Sequence, residues 1–256
     1  MAVQSAVLLI ADIGGYTRFM KYHAASLIHA QEIVGQLLDA VIRAAAPALR
    51  LAKIEGDAAF FYAPMGKARP DWLAARTDAI YGAFHACLAD IAQNNLCPCD
   101  GCSQAGQLRI KMVSHAGDIL MHRTGGSNEL AGVDVILVHR LLKNDVPLPE
   151  YLLVTEPAYA LLDARRRQDA ASLPIDVPDI GPTSTWYVAL TAAPADPRAA
   201  RLPLLKRLAR HMRMIGRTLP YLAGRRPSPC AGFRNIPDVA AAATGHPDES
   251  KQQRDN

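Results

Sequence analysis

Two carboxylates in this chain stand at the edges of apolar runs. Asp12 closes the run Ala6-Val7-Leu8-Leu9-Ile10-Ala11, and Asp57 precedes Ala58-Ala59-Phe60-Phe61-Tyr62. Short continuous apolar runs bounded by turn signals read as buried strands. Glu55-Gly56 is a hairpin-turn signal, so Asp57 is expected to open the returning strand. Gly14-Gly15, just past Asp12, lets the backbone turn sharply into a helix. With the two strands as neighbours, the carboxylates meet at one end of a sheet. Acids forced together repel unless protonated or bridged by a cation. A hard, oxygen-seeking ion such as magnesium or manganese is the natural bridge. Taken singly, each Asp also fits a plain strand-end cap of the following turn or helix. It is the pair that carries the metal reading.

A second constellation is Cys97-Pro98-Cys99-Asp100-Gly101-Cys102. Three thiolates this close suit zinc or an iron–sulfur centre, but they are one ligand short of a closed tetrahedral site. Cys87, Cys230, His85 or a second subunit could complete it; the alternative is an inert or regulatory loop. His115 reads as a satisfied core or strand-end histidine.

The elements that position these residues follow from the hydrophobic pattern. Residues 7–11 form a central strand, and a helix or helix pair covers 17–49. Its stripe of Val34, Leu37, Leu38, Val41 and Ile42 recurs at about 3.6 residues, and Pro47 marks its end. Residues 51–62 make the hairpin. Residues 71–93 make a further helix, with Trp72, Ala75, Ile80, Phe84 and Leu88 inward. The cysteine-rich insertion spans 94–107. A strand follows at 108–114, runs into 115–118 and continues at 119–121; then come a helix after Gly132, a strand at 151–155, a helix at 156–167 and a closing strand at 186–190. The composition then shifts. Residues 192–200 are an Ala/Pro linker, 201–238 a basic amphipathic helical extension, and 239–256 a disordered tail. In the extension, Leu205, Leu208, Met212, Ile215, Leu219 and Leu222 form one stripe beside Arg and Lys. A protein partner or an anionic membrane surface would cover it. Nothing aromatic supports nucleic acid as a third partner.

The chain has 256 residues, half of them hydrophobic and 20% charged, with a net charge of +4. That is ample for one sizeable core, and too little charge to argue for nucleic acid by itself. Residues 1–5 carry no positive stretch and the apolar run after them is short, so a strand is expected there rather than a signal peptide. No apolar run is long enough to span a bilayer. Five cysteines, three of them crowded together, do not form a disulfide framework for a domain of this size. A cytoplasmic location is the expectation.

Ala11-Asp12-Ile13-Gly14-Gly15-Tyr16-Thr17, together with Lys53 and Gly56-Asp57 ahead of an apolar strand, resembles the class III adenylate and guanylate cyclase catalytic domain. The resemblance runs over residues 7–188, with weaker echoes in Arg109-Ile110, in His115-Ala116-Gly117, and in Glu129, Gly132 and Arg140. It implies an α/β domain of ferredoxin-like architecture over residues 1–191, its mostly antiparallel sheet covered by helices on one side. It implies two magnesium or manganese ions bridged by Asp12 and Asp57, with the Ile13 carbonyl as a further ligand. The segment Gly14, Gly15, Tyr16 and Thr17 would hold the terminal phosphates at a helix start. Lys53 and Glu129 would read the base, leaning to adenine, since a lysine donates and a carboxylate accepts. Arg140 would face the phosphate, and a homodimer would share the site. The implied activity is conversion of a nucleoside triphosphate, ATP by preference, to a cyclic 3′,5′-monophosphate and pyrophosphate. The chain departs from the pattern at Ile136, where the family has Asn, and no Lys lies between Pro178 and Thr185. Those departures support a second reading, a nucleotide-binding dimerisation module without turnover. A third reading is a metal or redox sensor built on the cysteine run.

Overall fold

The computed structural model describes residues 2–17, 19, 27–67, 71–94, 96, 105–191, 202–209 and 212. Strand β1 (Ala2–Gly14) extends beyond the expected 7–11 at both ends. The reason lies in a distant partner. Helix α1 (Leu27–Ala45) follows it, then the hairpin β2 (Arg50–Glu55) and β3 (Ala58–Pro64), helix α2 (Trp72–Asn94) and strand β4 (Arg109–Thr124). β4 pairs antiparallel with the whole of β1, from Ala2 opposite Met121 to Gly14 opposite Arg109. The strand expected at 108–114 and its expected continuation at 119–121 are one strand. Gly117 and Asp118 stay in the ladder opposite Ala6 and Ser5. A Cβ at Gly117 would stand 2.3 Å from Asp134 Cγ, so this glycine makes room for a carboxylate.

β5 (Ser127–Ala131) folds back on β4, so Glu129 sits in a strand opposite His122. Then come α3 (Val133–Arg140) and β6 (Tyr151–Thr155). The helix expected over 156–167 is two short ones, α4 (Glu156–Tyr159) and α5 (Ala164–Asp169). Asp163 accepts a hydrogen bond from the Arg166 amide at 2.7 Å and so caps a fresh helix start. β7 (Ala171–Ser172), the ribbon β8 (Ile175–Val177) and β9 (Gly181–Thr183), and β10 (Thr185–Ala189) complete the domain. The main sheet runs β2-β3-β1-β4-β6-β10-β7, with β5 beside β4. All its pairings are antiparallel except β4 with β6.

β1 is buried on both faces over Ala6–Ala11, which explains the uninterrupted apolar run there. Val7, Leu9, Ala11 and Ile13 face one core with α1 and α2 residues. Ala6, Leu8 and Ile10 face the other, with Leu137, Val138 and Leu141 of and just after α3. Each fully buried Leu or Ile here contributes about 1.5–3 kcal/mol. The two long helices share one side as expected, while α3 and the β8–β9 ribbon cover the reverse. α1 buries Val34, Leu37, Leu38 and Val41 and stops at Ala45, ahead of Pro47, because the residue before a proline is steered from helical geometry. In α2 the inward stripe is Leu73, Thr77, Ile80, Phe84, Leu88 and Ile91. Ala75, expected inward, falls between those steps and is exposed.

Residues 204–209 are helical, and the Leu202 amide donates to Asn94 Oδ1 at 2.9 Å. Leu205, Leu208 and Met212 are exposed. The rest of the extension, the linker, the tail, and Cys97, Cys99 and Cys102 lie outside the described residues. No helix among the described residues is long and apolar enough to cross a membrane.

Candidate functional site

The β2–β3 connection is a two-residue turn of Gly56 and Asp57, closed by the pair Glu55 and Ala58. Gly56 has φ +65°, a conformation that glycine adopts without strain. Asp57 thus lies in the turn, one residue ahead of the strand it was expected to begin. Its carbonyl accepts a hydrogen bond from the Ile13 amide at 3.2 Å, and Asp12 pairs with Ala58. The two aspartates therefore flank one end of the same ladder.

Their charges interact. Burial pushes the Asp57 carboxyl up from 3.8 to about 6, and the Asp12 charge adds to the rise; a backbone hydrogen bond and Lys111 pull the other way. Tyr16 is raised too, by burial and then by the charge of Asp57, which places its ring at the same cluster. The backbone leaves β1 through Gly15, whose φ is +85°. The Phe19 amide then donates to the Gly15 carbonyl at 2.9 Å, so a helical turn begins here. Thr17 on that turn is exposed, and the Ile13 side chain is in the core.

Lys111 was not among the residues picked from sequence. It lies on β4 directly opposite Asp12, and its Nζ is 3.1 Å from Asp12 Oδ2. Opposed residues of an antiparallel pair share a face. That face is the α3 side, since Asp12 continues the row of Leu8 and Ile10. The ammonium also donates to the Leu142 carbonyl at 3.3 Å, just beyond α3. The Tyr151 hydroxyl is raised by burial and senses both Lys111 and Asp12, while bonding Asn144 Oδ1 at 2.9 Å. A lysine inside the run Arg109-Ile110-Lys111-Met112 is a weak signal; only the strand register shows its partner.

Arg140 ends α3. Its Nη2 donates to Asp179 Oδ2 at 2.9 Å, and its buried Nη1 has no hydrogen-bond partner among the described residues. It lines a cavity of about 630 Å³ with Val135, Ile136, His139, Lys143 and Asp176. Ile136 is half exposed there. His139 Nε2 lies 3.0 Å from Glu55 Oε2, tying the end of α3 to the hairpin that carries Asp57. Asn144 is committed to its own turn, through Leu141, Val146 and Tyr151. Lys53, exposed on β2, is opposite Phe60, and β5 with Glu129 lies beside β2. His115 is satisfied as expected, through Thr155 Oγ1 at 2.7 Å and Asp134 Oδ1 at 3.1 Å. Among the described residues, no three His, Cys, Asp or Glu side chains cluster as a metal site.

The β2-β3-β1-β4-β6 sheet with its covering helices is the fold of class III adenylyl and guanylyl cyclase domains. The structure is similar to the guanylyl cyclase Cya2, with TM-score 0.54 and 12% identity, over 76% of this chain and 96% of that one. It is similar also to the adenylyl cyclase CyaB of P. aeruginosa, with TM-score 0.52 and 15% identity, over 75% and 97%. In sequence, residues 34–151 match the family described as "Protein of unknown function (DUF2652)". The chain is 39% identical over 203 residues to the uncharacterized protein Rv2561/Rv2562 of Mycobacterium tuberculosis, covering 79% of this chain and 94% of that protein. It belongs to the family of that mycobacterial protein.

Proposed function

We propose that this chain is a divalent-cation-dependent nucleotidyl cyclase, a phosphorus–oxygen lyase. It would convert a nucleoside triphosphate, ATP by preference, to the cyclic 3′,5′-monophosphate and pyrophosphate, acting as a homodimer. The observation that carries the reading is the coupling of Asp12 and Asp57 at one strand end within this fold. A carboxyl held near 6 by burial and a neighbouring acid is a group that a cation would relieve, so the donor set fits a hard ion.

Asp12 and Asp57, with the Ile13 carbonyl, would hold magnesium or manganese. When bound, such an ion activates the attacking hydroxyl and offsets charge on the phosphates. The ribose 3′-hydroxyl, losing its proton to water, attacks the α-phosphorus, and the bond from that phosphorus to the oxygen bridging to the β-phosphorus breaks, releasing pyrophosphate. Gly14, Gly15, Tyr16 and Thr17 position the leaving pyrophosphate. Arg140, with one buried nitrogen unpartnered among the described residues, matches charge developing on the phosphoryl oxygens. Lys53 and Glu129, contributed across the dimer, read the base.

One observation favours a second reading. Ile136 lines the Arg140 cavity and cannot hydrogen-bond a ribose, and misorientation of the sugar costs about a hundredfold. A nucleotide-binding module without turnover fits that feature. Incubation with manganese and ATP or GTP separates the two. Cyclic product that disappears in Asp57→Ala supports the cyclase. Saturable nucleotide binding with no product supports the module.

A further inference from the structure

The resemblance to the cyclases implies two divalent ions between the aspartates. We propose that this site takes one, and that the ammonium of Lys111 stands permanently in place of the other. The inference rests on the cyclase reading and deepens it.

Three observations carry it. Lys111 faces Asp12 across the β1–β4 ladder, so its backbone cannot shift without breaking a thirteen-residue pairing of the sheet's two longest strands. Its Nζ already occupies Asp12 Oδ2, at 3.1 Å. It is anchored from the far side by the Leu142 carbonyl at 3.3 Å. Both side chains are mostly buried, 26% and 18% exposed, so solvent screens this charge less than it would a surface pair. A two-metal site needs both aspartates to bridge ions about 3.5–4 Å apart. Here one oxygen of Asp12 already faces a cation that belongs to the chain, which leaves less of its charge for a second ion. A second divalent ion would also sit within a few ångström of a fixed positive charge, where repulsion is strong. Asp12 Oδ1 and Asp57 remain for a single ion. Lys111 is thus a charge-placing residue, acting through Asp12.

The test reads metal count as well as activity. Isothermal titration of the full chain with Mn²⁺, and electron paramagnetic resonance with Mn²⁺ and α,β-methylene-ATP, are run on wild type, Lys111→Met and Lys111→Arg. The wild type is expected to bind one Mn²⁺ per protomer and to show an isolated six-line spectrum. Lys111→Met, similar in shape and uncharged, is expected to bind two, with a spin-coupled spectrum and the first ion held on the order of tenfold more tightly. Lys111→Arg is expected to stay at one.

Two ions in the wild type would overturn the proposal and leave the cyclase reading intact. So would an unchanged count in Lys111→Met, including the case where only nucleotide affinity falls, which would make Lys111 a phosphate ligand. No Mn²⁺ in the wild type would overturn both readings. Should Lys111→Met fail to fold, the wild-type spectrum alone decides between one ion and a coupled pair.

Discussion

Consecutive residues of β4 meet carboxylates in opposite conditions. At Ile110, Glu150 Oε1 accepts the backbone amide at 3.2 Å. Parallel pairing with β6 begins only at Met112, which leaves that amide to a side chain. Glu150 is also bonded by the Tyr81 hydroxyl at 2.8 Å and by His85 Nε2 at 2.9 Å. Burial works against its ionisation, yet these hydrogen bonds outweigh burial and hold the carboxyl below its ordinary 4.5. At Lys111, the acids are Asp12 and Asp57, and there burial and mutual repulsion win, lifting Asp57 to about 6. A carboxylate surrounded by donors is finished structure. A pair whose repulsion outweighs its donors favours a further positive charge beside it.

The sharpest break in this contrast comes from exchanging charge for shape at each centre. Under the proposed cyclase reading, Asp12→Asn should reduce cyclic nucleotide formation on the order of a thousandfold or more. Its unfolding free energy, read by urea titration, should change by about 1 kcal/mol or less, because the ion pair lost at Lys111 is offset by the repulsion relieved at Asp57. Glu150→Gln should do the reverse. Its activity per folded molecule should hold, while stability at neutral pH falls by about 1.5–3 kcal/mol through lost charged hydrogen bonds. Because the folded carboxyl titrates below 4.5, the Glu150 contribution is present above that pH. The gap between wild type and Glu150→Gln should close as pH falls beneath it.

Asp57 has the opposite sign and a smaller effect. Its folded carboxyl titrates near 6 against 3.8, so the protonated group favours the fold at low pH. That contribution is lost as pH rises through 6. Asp57→Asn, always neutral, should match wild type near pH 4 and exceed it by about 1 kcal/mol at pH 7, after allowing for solvent screening. Thermal melts across that range would show the widening gap, and saturating Mn²⁺ should narrow it for the wild type.

Much of the site was legible because its signals are local. An apolar run closed by Asp12 and a glycine pair, and Glu55-Gly56-Asp57 ahead of Ala58-Ala59-Phe60-Phe61, encode a strand end and a tight turn through backbone preference and burial alone. Helix stripes and the stop before Pro47 are legible for the same reason. Contacts between distant segments are not written this way. That Asp12 meets Lys111, that Glu150 serves the Ile110 amide, that Gly117 and Asp118 continue a strand, and that α3 covers the face opposite α1 and α2 all depend on register. Register is set when β1 and β4 pair over their full length, and a shift by one residue would turn Lys111 to the other side of the sheet. The chain's own sequence determined which carboxylates stand at a strand end and in a tight turn; the assembled sheet decided which charge stands beside them.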